Sequence, residues 1–372
     1  MKRQLMEDVA RIRFTNRKLR SLGNDVVKTA EAINLVYVSD TQPGILRVRN
    51  GKGFIYKYKG KTVTDIEVLG RIRSLVLPPA WRNVWICADP NGHLQATGLD
   101  ARERKQYKYH PLWNNFRNQT KYFHLYDFGL ALPNIRQEIE KHLSLPGLPQ
   151  EKVLAAVVSL MQCTSIRIGS NVYEKLNGSF GLTTMKDQHV RINGHHMKFS
   201  FKGKKGIYHD ISLKSRKLAK IVQACRDIPG KELFQYYDES GEKRSIDSGM
   251  VNNYIKSISS GNFTAKDFRT WTGSIHALQA FRQVGNCETV TEVKKRTVEV
   301  LDLVAKQLGN TRTVCKKYYV HPALFDLFEQ RSLDKYFAAI EKVDNNALGS
   351  CLTCEEKVLM KILEAHGHTV TI

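Results

Sequence analysis

The sequence predicts an α+β protein: a small β-rich N-terminal domain, followed by a mainly α-helical domain with a short three-stranded β island. Three observations predict this fold. Alternation of apolar and polar residues is concentrated between Val36 and Trp113, helical periodicity dominates after Trp113, and one alternating region interrupts the helices at residues 189–211. A hydrophobic fraction of 42% over 372 residues suffices for the cores of two or three domains.

The first 113 residues divide into a basic opening segment, residues 1–30, and a β-rich domain, residues 31–113. The opening segment fits a solvated helix face and a DNA-contacting arm equally well, because its basic residues have mixed spacing: Arg11, Arg13, Arg17, Lys18 and Arg20. In the β-rich domain, residues 45–49 and 54–58 alternate on either side of Asn50-Gly51, a pair typical of a hairpin turn. A further strand is predicted over residues 84–87.

Residues 114–372 are predicted to form the mainly helical domain. A buried helix is expected over residues 152–163, and an amphipathic helix over residues 293–309 ends on Gly309, where glycine commonly terminates a helix. The β island comprises residues 189–192, 197–201 and 207–211, and the turn before its last strand carries three lysines: Lys202, Lys204 and Lys205. From about residue 325 we expect a C-terminal tail of two helices around a loop at Asn345-Asn346.

The charge of the chain favours a polyanionic partner. Lys and Arg number 58 against 36 Asp and Glu, a formal charge of +22, and nucleic acid is the commonest partner of such proteins. A basic protein without a nucleic-acid role is the alternative.

No apolar run approaches the roughly 18 residues of a membrane helix, and Met1–Asp8 carries acids where a signal peptide needs an apolar core. The seven scattered cysteines suit reduced thiols. We therefore expect no membrane partner and a cytoplasmic location, on the nucleoid if the source is bacterial.

The motif content gives no reason to expect a cofactor or a metal. There is no Walker motif, no complete dinucleotide-binding loop and no acidic cluster at metal-binding spacing. Cys351 and Cys354 are a close pair, but no second pair or histidines at zinc spacing accompany them. They are better explained as a surface pair on a helix.

Five residues in short, unusual contexts are the candidates for chemistry. Each context alone is a weak signal, because arginines near helix ends commonly make ordinary ion pairs. The order and spacing of the five residues are what indicate a catalytic site. The five are Arg167 after the buried helix, Lys204 on the hairpin, Arg269 in Lys266–Trp271, Asn310 after the terminating glycine, and Tyr319 nine residues later.

These motifs resemble those of the type IB DNA topoisomerases, the compact viral and bacterial group in particular, from about Asp40 to the C terminus. The resemblance implies that Tyr319 is the nucleophile, that Arg167 and Arg269 are catalytic arginines, and that Lys204 is a catalytic lysine. It implies DNA contacts by a further set of residues: Arg104, Lys105, Gln106, Tyr107, Tyr109, Tyr173 and Lys266.

The sequence departs from the poxvirus-like pattern at two positions. Asn310 stands where that group has a catalytic histidine; its amide can donate a hydrogen bond to a phosphate but carries no positive charge. Ser274 replaces an asparagine, which puts that contact in doubt. Tyr318 adjoins Tyr319, and the nine-residue step from Asn310 favours Tyr319 as the nucleophile.

The function implied by the resemblance is ATP- and metal-independent relaxation of supercoiled double-stranded DNA through a 3′-phosphotyrosyl intermediate, by a monomer that clamps the duplex. A tyrosine recombinase is the nearest alternative. It is disfavoured because Lys266-x-x-Arg269 replaces the recombinase His-x-x-Arg box and because the N-terminal domain is β-rich. A non-catalytic basic DNA-binding protein would explain the charge but not the ordered motifs.

Overall fold

The protein is described here by a computed structural model that covers residues 13–15, 22, 25–51, 53–101, 103–120, 122–285, 287–340, 352–366 and 369–371. The described residues of Met1–Phe123 and His368–Ile372 form one compact unit, and those of His124–Gly367 form another. The predicted α+β class is confirmed. Several positions of the sequence analysis lie outside the described residues: Arg11, Arg17, Lys18, Arg20, the Asn345-Asn346 loop and Cys351.

A six-stranded antiparallel sheet is the centre of the first unit. Its strands are β2 (Ile45–Asn50), β3 (Gly53–Tyr58), β4 (Lys61–Thr62), β5 (Arg82–Ile86), β6 (Leu94–Leu99) and β7 (Lys105–Tyr109). Their order across the sheet is β4-β3-β2-β5-β6-β7. Asn50 pairs with Gly53 and Gly51 has a φ of +56°, so the predicted hairpin turn is present. β7 lies at the sheet edge.

Among the described residues of this unit, the sheet is accompanied by helices α1 (Val26–Glu31), α2 (Ile66–Ser74) and α3 (Pro111–Thr120). Asp25 and Asp65 begin α1 and α2 as N-caps, since each carboxylate accepts hydrogen bonds from two backbone N–H groups of the first turn. Ile72 of α2 belongs to the same buried cluster as Ile45 and Ile86 of the sheet.

A short pairing joins the two ends of the chain within this unit. Strand β1 (Arg13–Thr15) pairs antiparallel with β13 (Thr369–Thr371). The sequence predicted neither strand, and it predicted a helical tail where β13 lies. Three residues are too few for alternation to reveal a strand, so the pairing depends on residues distant in sequence.

The second unit consists mainly of helices. They are α4 (Phe123–Leu143), α5 (Gln150–Thr164), α6 (Asn171–Asn177), α7 (Arg216–Arg226), α8 (Ser248–Ser259), α9 (Ala265–Val284), α10 (Val290–Leu308), α11 (Arg312–Tyr318), α12 (Pro322–Glu329), α13 (Asp334–Ile340) and α14 (Cys354–His366). The predicted helices over 152–163 and 293–309 correspond to α5 and α10. Most residues of α5 are buried, because its apolar side chains cover nearly the whole circumference.

The three-stranded island is β8 (Val190–Asn193), β9 (His196–Lys202) and β10 (Tyr208–Lys214), in the order β10-β9-β8, as predicted. A 3-10 turn at Lys204–Gly206 joins β9 to β10. The island is not the only β structure among the helices, however. Strands β11 (Gln235–Tyr237) and β12 (Lys243–Ser245) form a second hairpin, and each is too short for its alternation to be recognised.

One buried carboxylate links the C-terminal helix α14 to two other helices of the second unit. Glu356 is 5% exposed and accepts two hydrogen bonds from Arg136 of α4, at 2.8 and 2.7 Å, and one from the indole N–H of Trp271 of α9, at 2.9 Å. Cys354, at the start of α14, is buried. The expectation of a surface cysteine pair is therefore wrong for Cys354, because this end of the helix packs inward.

No helix in the described part of the chain is both long and apolar enough to span a bilayer. No three His, Cys, Asp or Glu side chains there are grouped as the ligands of a metal ion would be.

We predict that Glu356→Gln destabilises the protein at neutral pH by about 3 kcal/mol, because it removes one charge of a buried ion pair. Burial raises the pKa of Glu356, but the hydrogen bonds and charge of Arg136, with those of Trp271 and Thr353, lower it overall. This stabilisation is therefore present above the unfolded pKa of about 4.3 and is lost as the pH falls through the lower folded value. Urea unfolding at neutral and acidic pH measures both effects.

The matched control is Glu364→Gln, an exposed position of the same helix. It should change the free energy of unfolding by no more than about 0.5 kcal/mol. Equal stabilities for the Glu356 variant and the wild type at neutral pH would show that the buried pair does not fix α14.

Candidate active site

One guanidinium group joins the C-terminal ends of two helices in the second unit. Arg269, on the second turn of α9, is 5% exposed. It donates a hydrogen bond to the carbonyl of Ser165, which follows α5, and another of 2.8 Å to the carbonyl of Leu308, the last residue of α10. Carbonyls at helix C termini lack intrahelical donors and carry partial negative charge. They are therefore suitable partners for a buried cation.

The second arginine binds the next two residues of the same segment. Nη2 of Arg167 donates to the carbonyl of Gly309 at 3.0 Å and to Oδ1 of Asn310 at 2.5 Å. Gly309 ends α10 with a φ of +59°, a left-handed conformation that favours glycine, as the sequence predicted. Residues 308–310 therefore accept hydrogen bonds from both arginines.

The two guanidinium groups are close enough to affect each other. Burial, together with the positive charge of Arg269, lowers the pKa of Arg167 to about 10. Burial also lowers the pKa of Arg269, and the neighbouring Tyr319 opposes this effect. Arginine so rarely loses its proton that both groups remain cationic at neutral pH. The site therefore concentrates two positive charges in a largely desolvated place.

Tyr319 lies directly beside this pair. It is the residue after α11, and Cζ of Arg269 lies 5.2 Å from the centroid of its ring. The neighbouring Tyr318 is instead approached by Lys317, whose Nζ is 5.4 Å from its ring centroid. Tyr319, the residue that the spacing from Asn310 singled out, is thus in contact with a site arginine.

The backbone of Tyr319 is held by the helix that carries Arg269. The hydroxyl of Ser274, fully buried in α9, donates to the carbonyl of Tyr319 at 3.4 Å and accepts from the N–H of His321 at 3.0 Å. A methyl group on the adjacent Gly273 would lie 2.6 Å from the same carbonyl. Ser274, at the position where the resemblance implied asparagine, therefore contacts the backbone on both sides of Val320.

Lys204 and Tyr173 form a second, exposed group. Lys204 lies in the turn after β9, and its Nζ is 5.8 Å from the ring centroid of Tyr173 on α6. Tyr173 is 44% exposed. Lys266 is exposed on the first turn of α9, one turn before Arg269. The structure thus brings Arg167, Arg269, Asn310 and Tyr319 together, whereas Lys204 and Tyr173 contact each other.

One residue between the two groups was not identified from the sequence. The half-buried ring of His209 on β10 lies against Gly203, next to Lys204, and against Gly309, next to Asn310. Burial, then the charges of Arg167 and Arg269, lowers its pKa. Alternation in β10 could have placed His209 on the inner face, but nothing in the sequence relates it to residue 309.

The edge strand β7 and the residue before it carry the DNA contacts that were predicted in the first unit. Several of these side chains make hydrogen bonds or ion pairs with aspartates. Asp100 accepts from Nε of Arg104 at 2.8 Å and from the amide of Gln106 at 2.9 Å. Lys105 makes a 2.6 Å ion pair with Asp40. The rings of Tyr107 and Tyr109 are stacked, with centroids 6.0 Å apart. Tyr107 is exposed and Tyr109 is half-buried.

The chemistry of the central group suits a phosphate diester. Guanidinium groups present paired donors that match phosphate oxygens, and an amide adds a neutral donor. Oδ1 of Asn310 accepts from Arg167, and its amide nitrogen, which donates to the carbonyl of Leu308 over a long 3.5 Å, can donate to a phosphate oxygen as well. A tyrosine beside these donors supplies a hydroxyl oxygen that can attack phosphorus.

Comparison with known proteins identifies the family. Residues 108–346 match the family model for the catalytic core of eukaryotic DNA topoisomerase I, and residues 53–100 match that for the N-terminal domain of bacterial DNA topoisomerase IB. DNA topoisomerase 1B of Acanthamoeba polyphaga mimivirus is 30% identical over 297 residues, which cover 77% of this chain and 88% of that protein. DNA topoisomerase 1B of vaccinia virus (strain Copenhagen) is 23% identical over 240 residues, 63% of this chain and 72% of the viral one. The chain therefore belongs to the type IB DNA topoisomerases.

Proposed function

We propose that this protein relaxes supercoiled duplex DNA by cutting one strand with Tyr319 and rejoining it. The observation that carries the proposal is the position of Arg269, which faces the Tyr319 ring and binds the segment that also holds Arg167. In the forward step the tyrosine hydroxyl gives up its proton to water and its oxygen bonds to phosphorus. The bond from phosphorus to the 5′ oxygen breaks, and that oxygen takes up a proton. The product is a 3′-phosphotyrosyl bond and a free 5′-hydroxyl end.

The arginines and Asn310 have complementary roles in this step. A free phenol has a pKa of about 10, so a tyrosine nucleophile benefits from the neighbouring positive charge of Arg269. The transition state concentrates negative charge on the non-bridging oxygens, and Arg167 and Arg269 supply forked donors for them. Asn310 adds a donor without charge. These groups are held by backbone carbonyls before DNA binds, so little reorganisation is required during the reaction.

Lys204 is proposed as the proton donor to the leaving oxygen. The 5′ oxygen of deoxyribose is strongly basic and cannot leave without a proton, which makes a general acid necessary. The exposed turn of Lys204 can approach a bound duplex from outside the arginine pair. The family resemblance implies that Arg167 assists this proton transfer.

The reaction requires no external source of energy in this scheme. The phosphotyrosyl bond conserves the free energy of the phosphodiester, so rejoining is the reverse attack by the 5′ hydroxyl. The guanidinium groups supply the positive charge that stabilises the phosphate. Between cleavage and rejoining, the free end rotates and supercoils are released.

We further propose how the chain is organised around DNA. Residues 31–113 form a DNA-clamp domain and residues 114–372 the catalytic domain, and one monomer encloses one duplex. Arg104, Lys105, Gln106, Tyr107 and Tyr109 of the first domain bind DNA, with Tyr173 and Lys266 of the second. Most of these contacts are to phosphates, in keeping with the net charge of +22. In a bacterial cell this places the protein in the cytoplasm, on the nucleoid.

The first test is relaxation of supercoiled plasmid in excess chelator and without ATP. Wild-type protein should relax the plasmid completely, and Tyr319→Phe should bind DNA but neither cleave nor relax it, because only the attacking oxygen is missing. Tyr318→Phe is the matched control and should retain activity. If the Tyr318 variant is inactive and the Tyr319 variant is active, the assignment of the nucleophile is wrong by one residue.

The second test concerns Lys204. Lys204→Ala should slow single-turnover cleavage by about 10²–10⁴-fold, the usual contribution of a general acid. A substrate with sulfur in place of the bridging 5′ oxygen has a better leaving group that needs no proton, so it should restore most of the rate. Lys205→Ala, one residue away in the same turn, should behave like wild type. Absence of restoration by sulfur would exclude Lys204 as the proton donor.

The third test separates the two ends of the Asn310 amide. Asn310→Ala should cost about 2–4 kcal/mol of transition-state stabilisation, as loss of a single oxyanion donor does. Asn310→His should retain appreciable activity, since imidazole can also donate from this place. Asn310→Asp keeps the acceptor for Arg167 but loses the donor, and should be at least as impaired as alanine. An Asp variant with wild-type cleavage rates would show that only the acceptor matters.

A further inference from the structure

The ring of His209 lies between the two segments that carry Lys204 and Asn310. A methyl group on Gly203 would be 2.6 Å from Cδ2 and 2.7 Å from Nε2 of this ring, and a methyl group on Gly309 would be 2.9 Å from Nε2. Real side-chain atoms do not approach so closely, so both glycine backbones are in van der Waals contact with the imidazole. One edge of the ring thus separates the lysine turn from the end of α10.

The ring itself is fixed by its own sheet. His209 is paired with Phe201 across β9 and β10, and the two rings are stacked at 5.0 Å with an interplanar angle of 15°. Phe201 is 3% exposed and belongs to the main core. The imidazole therefore packs against a side chain of the main core.

The turn that carries Lys204 begins at the glycine that touches this ring. The N–H of Gly203 donates to the carbonyl of Ile207 at 2.7 Å and closes the turn, and Lys204 follows directly. Gly309 contacts the same Nε2 edge of the ring, and its carbonyl accepts from Arg167. A single side chain therefore sets the separation between the lysine turn and the segment bound by Arg167.

We propose that His209 is a positioning residue, which holds the turn of Lys204 at the distance from Arg167 and Asn310 that proton transfer to the 5′ oxygen requires. This inference rests on the proposed function, in which Lys204 is the proton donor. No hydrogen bond joins the imidazole nitrogens to any described residue, so the support is by shape and contact. An uncharged ring suits this place, since a further cation would be repelled by Arg167 and Arg269.

The experiment is single-turnover cleavage by His209→Ala on two substrates, one with the normal bridging oxygen and one with sulfur at that position. On the oxygen substrate, cleavage should slow by about tenfold to a hundredfold, the cost of misplacing a catalytic group by about 1 Å. On the sulfur substrate, the rate should return to within a few-fold of the wild-type protein on the same substrate, because no proton is needed. DNA binding should be unchanged.

Two further variants complete the experiment. Gly203→Ala acts on the contact from the opposite side, leaves the imidazole in place, and should show the same pattern of slowing and rescue. It also serves as the test if His209→Ala unfolds, which thermal unfolding would report. His196→Ala, an exposed histidine at the far end of the same sheet, is the matched control and should cleave both substrates like wild type.

The outcomes distinguish failure of the positioning role of His209 from failure of the proton-donor role of Lys204. If sulfur restores Lys204→Ala but not His209→Ala, the proposed proton donor stands and the positioning role of His209 is refuted. Unimpaired cleavage of the oxygen substrate by both His209→Ala and Gly203→Ala would also refute it. If sulfur fails to restore Lys204→Ala, the role of Lys204 falls and the inference falls with it.

Discussion

The arrangement of the site depends on the pairing of two arginines with the C-terminal ends of two helices. Without negative partners, Arg269 and Arg167 would repel each other in a place of low dielectric. The carbonyls of Ser165, Leu308 and Gly309 compensate, because each lies at a helix end where no intrahelical donor reaches it. The same hydrogen bonds fix α5, α9 and α10 relative to one another, so folding of the helical unit assembles the cationic site.

Close backbone approach is the second constraint on the site. The carbonyl of Tyr319 lies where a side chain on Gly273 would be, and the ring of His209 lies where side chains on Gly203 and Gly309 would be. Because these glycines have no β-carbon, the backbone of Tyr319 packs directly on α9. For the same reason the lysine turn and the residue before Asn310 pack directly on the ring of His209. Buried Ser274 adds a polar anchor on the backbone between Tyr319 and His321. Rigid support of this kind suits the proposed phosphoryl transfer, because positioning and electrostatics supply most of the catalysis in such a reaction.

The side chains proposed to bind DNA differ in the partners that they have within the protein. Arg104, Lys105 and Gln106 have acidic partners in Asp100 and Asp40, so their side chains are ordered before DNA binds. Lys204, Tyr173 and Lys266 are exposed, as Lys105 is, but Lys204 contacts the ring of Tyr173 rather than an acid. Ion pairs on the surface contribute little to stability, and exchange of a carboxylate for a phosphate costs little. Both kinds of group suit the proposed function, in which the duplex is bound tightly and must also rotate.

The sequence by itself determined the α+β class, the main helices α5 and α10, the three-stranded island and the terminating Gly309, because these depend on periodicity and on local backbone preference. The order of its motifs also singled out Arg167, Arg269, Asn310 and Tyr319, which the structure brings together. Only the tertiary structure decided which carbonyls the arginines bind, what Ser274 contacts and that His209 lies between residues 203 and 309. It also decided the β1–β13 pairing and the burial of Cys354. Each of these is a contact between residues far apart in the chain, and no local pattern encodes a partner that only packing brings near.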